Sequence, residues 1–282
     1  MSEYYGLPTL KQPVWTWEVP AYFFVGGTAG AAATIAAAAR LAGGRRELVR
    51  DARWIAAAGG AMSPPLLIAD LGRPERFLNM LRVFKVQSPM SIGAWTLVAF
   101  SNAAGASAFA DLIDRATDGR VPVRVLGNAA ETLAAGTGLV LSTYTGVLIG
   151  ATAIPAWSEN VRILPVHFGA SAVGAAVSIL ELMGHRDPAL NVLGAGAAAV
   201  ETLIGASLEL SASEALVPLK EDWTGRVVRA GGVLAGPLPL ALRLLAGRSP
   251  SARKAAAIST LVGSLLTRVG WLAAGRESAR KS

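Results

Sequence analysis

Apolar residues along this chain gather into runs that are too long and too numerous for a water-soluble core. A bilayer's hydrocarbon layer is about 30 Å thick, so a helix that crosses it needs roughly 20 consecutive, mostly apolar residues. Residues 19–39, 86–110 and 132–158 contain no Asp, Glu, Lys or Arg. Residues 52–71 carry only Arg53 and Asp70 near their ends, 163–180 only His167, and 188–208 only Glu201. Residues 227–245 hold Arg229 and Arg243 near their ends, where long side chains can snorkel, and 255–274 hold a single Arg268. The pattern predicts an all-α polytopic membrane protein of eight transmembrane helices with both termini on one side. The connecting stretches are short, so residues 1–282 are expected to form one transmembrane domain, and the spacing suits two four-helix bundles.

A different periodicity follows the second run. Gly72 and Pro74 turn the chain, after which Phe77, Met80, Leu81 and Phe84 repeat at i, i+3, i+4 and i+7. Arg76, Asn79 and Lys85 fall off that stripe, which predicts a short amphipathic helix lying in the membrane interface. Within the long runs, Gly26, Gly27, Gly30, Gly59, Gly60, Gly136, Gly138, Gly194 and Gly196 provide small positions where helix backbones can approach.

Composition supports the membrane reading and removes alternatives. Apolar residues make up 52% of the 282 and charged residues 16%, against about a quarter charged in soluble domains. No cysteine is present, so a disulfide framework, a thiolate zinc site and a cysteine-ligated iron–sulfur cluster cannot belong to this chain. The net charge of +7 is dispersed in short segments between apolar runs rather than gathered on one face, which predicts no nucleic-acid partner. Lys and Arg divide almost evenly between the two sides, so the positive-inside rule assigns no orientation.

Two segments are more specific than composition. The first is Trp15-Thr-Trp-Glu-Val-Pro-Ala-Tyr-Phe-Phe-Val-Gly-Gly27, where Trp15 and Trp17 suit the headgroup level and Pro20 a first helical turn. Glu18 and Tyr22 are four apart and share a helical face. The second is Asp70-Leu-Gly-Arg-Pro-Glu-Arg-Phe-Leu-Asn-Met-Leu-Arg-Val-Phe-Lys85 with Ser88-Pro-Met-Ser91 after it, and a Tyr144-Thr-Gly146 step lies in the fourth run. On these residues the chain resembles the NrfD/PsrC family, the integral membrane subunits of polysulfide reductase and related molybdopterin oxidoreductases. The resemblance implies a multi-pass protein of a bacterial or archaeal inner membrane, serving electron transport in anaerobic respiration. It also implies a subunit that binds a quinone, menaquinone or ubiquinone, carries no haem, and docks a ferredoxin-like iron–sulfur subunit with a molybdopterin catalytic subunit beyond.

The residues themselves agree on the carrier. A di-haem membrane cytochrome needs facing histidine pairs, and this chain has only His167 and His185. Quinone reduction takes up two electrons and two protons, which calls for hydrogen-bonding and titrating groups at membrane depth. Glu18, Asp70 and Tyr144 are the expected catalytic groups, and Glu18, Tyr22, Asp70, Tyr144 and His167 the expected quinone-binding ones. No metal-ligating set is expected. Structural roles compete at each: Asp70 could pair with Arg73 or cap the interfacial helix, Glu18 could serve its helix dipole, and His167 could be a satisfied core histidine.

Deeper in the runs lie Glu131, His167, Glu181, Glu201, Glu209 and Arg268, each of which must be paired, neutral or facing a wet cavity. Glu201 and Glu209 could carry protons or pair with Arg268. A proton- or substrate-translocating transporter is therefore the competing reading, and Pro64-Pro65 and Pro237-Leu-Pro239 are where its broken helices are expected.

Overall fold

A computed structural model describes residues 10–246 and 249–281, apart from the side chains of Arg76 and Ala246. The described residues are helical, without strands. In chain order the helices are α1 (Glu18–Leu41), α2 (Arg46–Asp70), α3 (Arg76–Met80), α4 (Pro89–Ala116), α5 (Arg124–Gly150), α6 (Pro155–Ser158), α7 (Ile163–Leu182), α8 (Pro188–Leu210), α9 (Val217–Lys220), α10 (Asp222–Ala235), α11 (Pro237–Ala246) and α12 (Pro250–Lys281).

Seven segments among the described residues are long and apolar enough to cross a membrane: α1, α4, α5, α7, α8, α10 with α11 taken together, and α12. The expected span 52–71 is the exception. Its helix, α2, has 25 residues, but Glu47, Arg50, Asp51 and Arg53 occupy its first turns and leave a short apolar remainder. The fourth run also differs from expectation. Its helix starts earlier, at Arg124, and stops at Gly150, and the chain restarts as α6 with Pro155 in the first turn.

Large apolar side chains lie on the surface as well as in the core, and several charges are buried. Leu126, Val192, Leu203, Leu210 and Leu245 are exposed, whereas Glu131, Glu181, Glu201, Arg243 and Arg268 are buried. That arrangement suits a lipid solvent, where apolar side chains face outward and charges must find partners inside.

Helix α1 is central: it packs against α2, α5, α7 and α12. Helices α2 and α4 pack together, as do α4 and α5; α8 packs on α7, α10 and α11, and α12 on α7, α10 and α11. The backbones of α1 and α5 approach closely, so that a Cβ on Gly30 would sit 2.3 Å from the Gly138 carbonyl oxygen. Only glycine permits that distance, and close backbone approach supplies dispersion energy where lipid offers no hydrophobic drive.

The two proline pairs behave differently. Helix α2 runs unbroken through Pro64 and Pro65. Pro64 has no N–H to give the Gly60 carbonyl, and the Ser101 hydroxyl of α4 donates to it instead at 2.8 Å. At Gly236–Pro237 the helix does break, into α10 and α11, and the Ser259 hydroxyl of α12 donates to the Leu234 carbonyl at 2.7 Å. Neighbouring hydroxyls thus satisfy backbone groups that lipid cannot.

Candidate functional site

The N-terminal segment meets the end of α2, and the start of α4 meets the end of α5, at one end of the bundle. Here a cavity of about 90 Å³ is lined by Trp15, Val19, Tyr22, Phe23, Leu67, Asp70, Leu71, Met80, Met90, Gly93, Ala94, Tyr144 and Leu148.

Three elements bring its polar groups together. The turn between Thr16 and Glu18 opens α1, the last residue of α2 is Asp70, and Tyr144 stands one and a half turns before the end of α5. The Thr16 backbone N–H donates to Asp70 Oδ1 at 3.0 Å, and the Thr16 hydroxyl lies 3.0 Å from the same oxygen. That hydroxyl also contacts the Glu18 carboxylate. One hydroxyl proton serves only one acid at a time, so Glu18, Thr16 and Asp70 form a short polar chain from the surface to the cavity wall. Asp70 is therefore engaged by Thr16; no Asp70–Arg73 ion pair exists among the described residues.

Tyr144 is buried and donates its hydroxyl to the Pro89 carbonyl at 2.6 Å. Its ring lies where a side chain on residue 93 would be: a Cβ on Gly93 would fall 2.0 Å from Tyr144 Cζ. Tyr22 is also buried, and no hydrogen bond from its hydroxyl is found among the described residues. Trp15 and Phe23 supply aromatic wall, Met80 and Met90 flexible apolar wall. The loop reaching Met80 turns at Gly72, whose φ of +63° favours glycine. The interfacial helix is shorter than its periodicity predicts: Phe77 is buried, but the helix ends at Met80 and Phe84 is exposed. Arg76's side chain lies outside the described residues.

Four of the five expected binding residues thus converge, with Tyr22, Asp70 and Tyr144 on the cavity and Glu18 one hydroxyl behind it. His167 does not join them. It sits in α7, with Nε2 2.9 Å from Glu201 Oε2 of α8 and Nδ1 accepting from the Trp271 indole of α12 at 3.1 Å. Contacts nevertheless connect the two places. Trp15 stacks on Trp157 at 5.6 Å, the Trp157 indole donates to the Trp271 carbonyl at 2.8 Å, and Phe23 packs on Phe168 beside His167. Thr16, Gly93 and the methionines are parts of the site that side-chain chemistry alone did not single out.

Over residues 7–187 the chain matches the family described as polysulphide reductase, NrfD. The chain belongs to the NrfD family. The match spans the N-terminal segment, the Asp70–Ser91 stretch and the Tyr144 step, so the whole cavity lies within the NrfD-like region. Glu201, Arg268 and Trp271 lie beyond it. No curated protein matches the chain. As an NrfD protein with several long apolar helices, it is a multi-pass membrane protein.

Proposed function

We propose that this NrfD protein is the quinone-reactive membrane subunit of an oxidoreductase complex, exchanging electrons between an iron–sulfur partner and the membrane quinone pool. The observation that supports this most is the convergence of Tyr22, Asp70 and Tyr144 on one aromatic- and methionine-walled cavity at the membrane boundary. A quinone ring, of either menaquinone or ubiquinone, would supply two-electron, two-proton carrier chemistry there. The residues suit it: planar apolar walls for the ring, the Tyr22 hydroxyl as a donor, the Tyr144 hydroxyl as one that would turn from the Pro89 carbonyl to give its proton, and Asp70 as a titrating group. At about 90 Å³ the cavity admits a ring only with a shift of Met80 and Met90, whose side chains are the adaptable part of the wall.

In this reading Trp15 and Phe23 hold the ring's plane and Tyr144 orients one carbonyl. Asp70 exchanges protons with water through Thr16 and Glu18. The chain has no electron carrier of its own in this scheme, so electrons must arrive from a cluster-bearing subunit docked at the same end. The exposed surface at Leu78, Val83, Phe84 and Val86, with Lys85 among them, is where we place that ferredoxin-like partner, with a molybdopterin subunit beyond. We also assign α2 as an eighth span within a single domain, because it packs along both α1 and α4. The helices would then group as α1, α2, α4 and α5, and α7, α8, α10–α11 and α12.

The test is turnover of the assembled complex with Asp70→Asn and Tyr144→Phe. Both variants are expected to assemble and to keep the partner's clusters reducible while losing quinone-coupled turnover. Wild-type quinone rates and inhibitor sensitivity in both would refute the assignment.

A further inference from the structure

The three buried carboxylates of the apolar layer are not alike. Glu181 is held by a two-pronged ion pair, its oxygens 2.9 and 2.7 Å from Arg243 Nη1 and Nη2. Glu131 is held between Arg40 and Arg53. Glu201 is 2% exposed and has neither: one oxygen meets His167, and the other, Oε1, has no hydrogen-bond partner. An unpartnered carboxylate oxygen in a low-dielectric interior is costly unless it is protonated or reaches water.

Glu201 also lines a lateral cavity of about 420 Å³ between α8 and α10, with Gly205, Glu209, Arg229 and Gly232 among its walls. Residues 201, 205 and 209 share one face of α8, and eight residues of helix rise about 12 Å. The cavity therefore runs from buried Glu201 to the Glu209–Arg229 ion pair of 2.7 Å, which is half exposed where α8 ends and α10 begins.

We propose that Glu201 is a proton-binding site, loaded and emptied through the cavity between α8 and α10. The hydrogen bonds around it specify where the proton goes. The Trp271 indole is only a donor, so it fixes His167 Nδ1 as an acceptor and places the imidazole proton on Nε2, facing Glu201 Oε2. Protonating His167 would break the Trp271 bond, whereas a proton placed on Glu201 Oε1, which is closed to solvent in this structure and is reached from the cavity by a side-chain shift, breaks nothing and leaves by the same route. The indole, which cannot accept, closes the far side. The site is thus open on one side only: it stores a proton rather than conducting one across the membrane.

Among the described residues, the charged groups on the elements around Glu201 are engaged as follows. His167 comes from α7; Glu181 of α7 and Arg243 of α11 are consumed by each other; Arg229 of α10 is engaged by Glu209. From α12, Arg268 is fully buried, bonded to Ser171, Ser264 and the Phe168 carbonyl, and set over the Phe24 and Phe168 rings, with no carboxylate at salt-bridge distance among the described residues. One proton at Glu201 therefore changes the net charge of this buried cluster by one.

Dicyclohexylcarbodiimide, an apolar reagent that modifies protonated carboxyls, tests this on the intact membrane protein without reference to quinone. Peptide mapping should find the label at Glu201, increasing as the pH is lowered, with Glu131 and Glu181 labelled less than about a tenth as much because their charges are tied to arginines. Glu201→Gln should abolish it. Should that variant fail to accumulate, the pH-induced infrared difference spectrum of the unmodified protein with isotope-labelled glutamate gives the same answer through a protonated-carboxyl band. Label confined to other glutamates, or no protonated-carboxyl band at any pH, would overturn the proposal.

Discussion

The two ends of this helix bundle solve the problem of charge in an apolar layer in opposite ways. At the end where α1 meets α2 and α4 meets α5, acids and bases neutralise one another. Glu131 joins Arg40 and Arg53, Arg53 also reaches Asn128, Asp51 meets His185 at 2.9 Å, Asp114 meets Arg124 at 2.8 Å, and Glu181 meets Arg243. Toward the N-terminal end polar groups are left partly unengaged: Tyr22, with no hydrogen bond from its hydroxyl among the described residues, lines a cavity, Thr16 divides one proton between two acids, and deeper in the layer Glu201 keeps a free oxygen. In the function proposed above, the first end holds the architecture and the second carries the chemistry.

Breaking a pair at the structural end should have the largest effect. Arg243→Ala leaves Glu181 buried without a partner, which costs about 3–5 kcal/mol; the yield of protein surviving detergent extraction should collapse. Replacing both partners with apolar residues should recover most of it. Equal loss in the double variant would mean that the pair does more than neutralise itself.

Crowding the chemical end comes next. Gly93→Ala drives a methyl into the Tyr144 ring, and overpacking of this kind costs about 1–3 kcal/mol. Quinone-coupled turnover should fall further than stability, measured by thermal unfolding in detergent. Removing one hydroxyl is milder. Tyr144→Phe deletes the bond to the Pro89 carbonyl at a cost of about 1 kcal/mol, so unfolding should shift little while quinone dependence changes. Smallest in stability is Lys85→Glu, an exposed change that should leave unfolding untouched but release an iron–sulfur partner at lower salt. Unchanged co-purification across a salt titration would place the docking face elsewhere.

Much of this is legible in the amino-acid sequence. Long uncharged runs mark their helices because hydrocarbon tolerates nothing else, and the Trp15–Gly27 and Asp70–Lys85 segments point to residues that do meet at one cavity. Other features depend on three dimensions. Prolines at 64 and 65 look like a break, but Ser101 lies far along the chain and its rescue of Gly60 is invisible to local pattern. The break near Pro237 comes at Gly236, whose φ of −105° and ψ of −98° leave the helical region. Glu201 and Glu209 read alike in sequence, yet one faces His167 and the other Arg229. Thr16 carried no signal beyond its neighbours, because its role is to bridge acids from two helices.

The most direct test of the chemical end is a photoreactive quinone analogue applied to the assembled complex and mapped by peptide. The cavity reading predicts label on segments 15–23 and 67–94, competed by excess native quinone and lost in Gly93→Ala. Label on the α8–α10 groove instead, or label that native quinone does not displace, would contradict it.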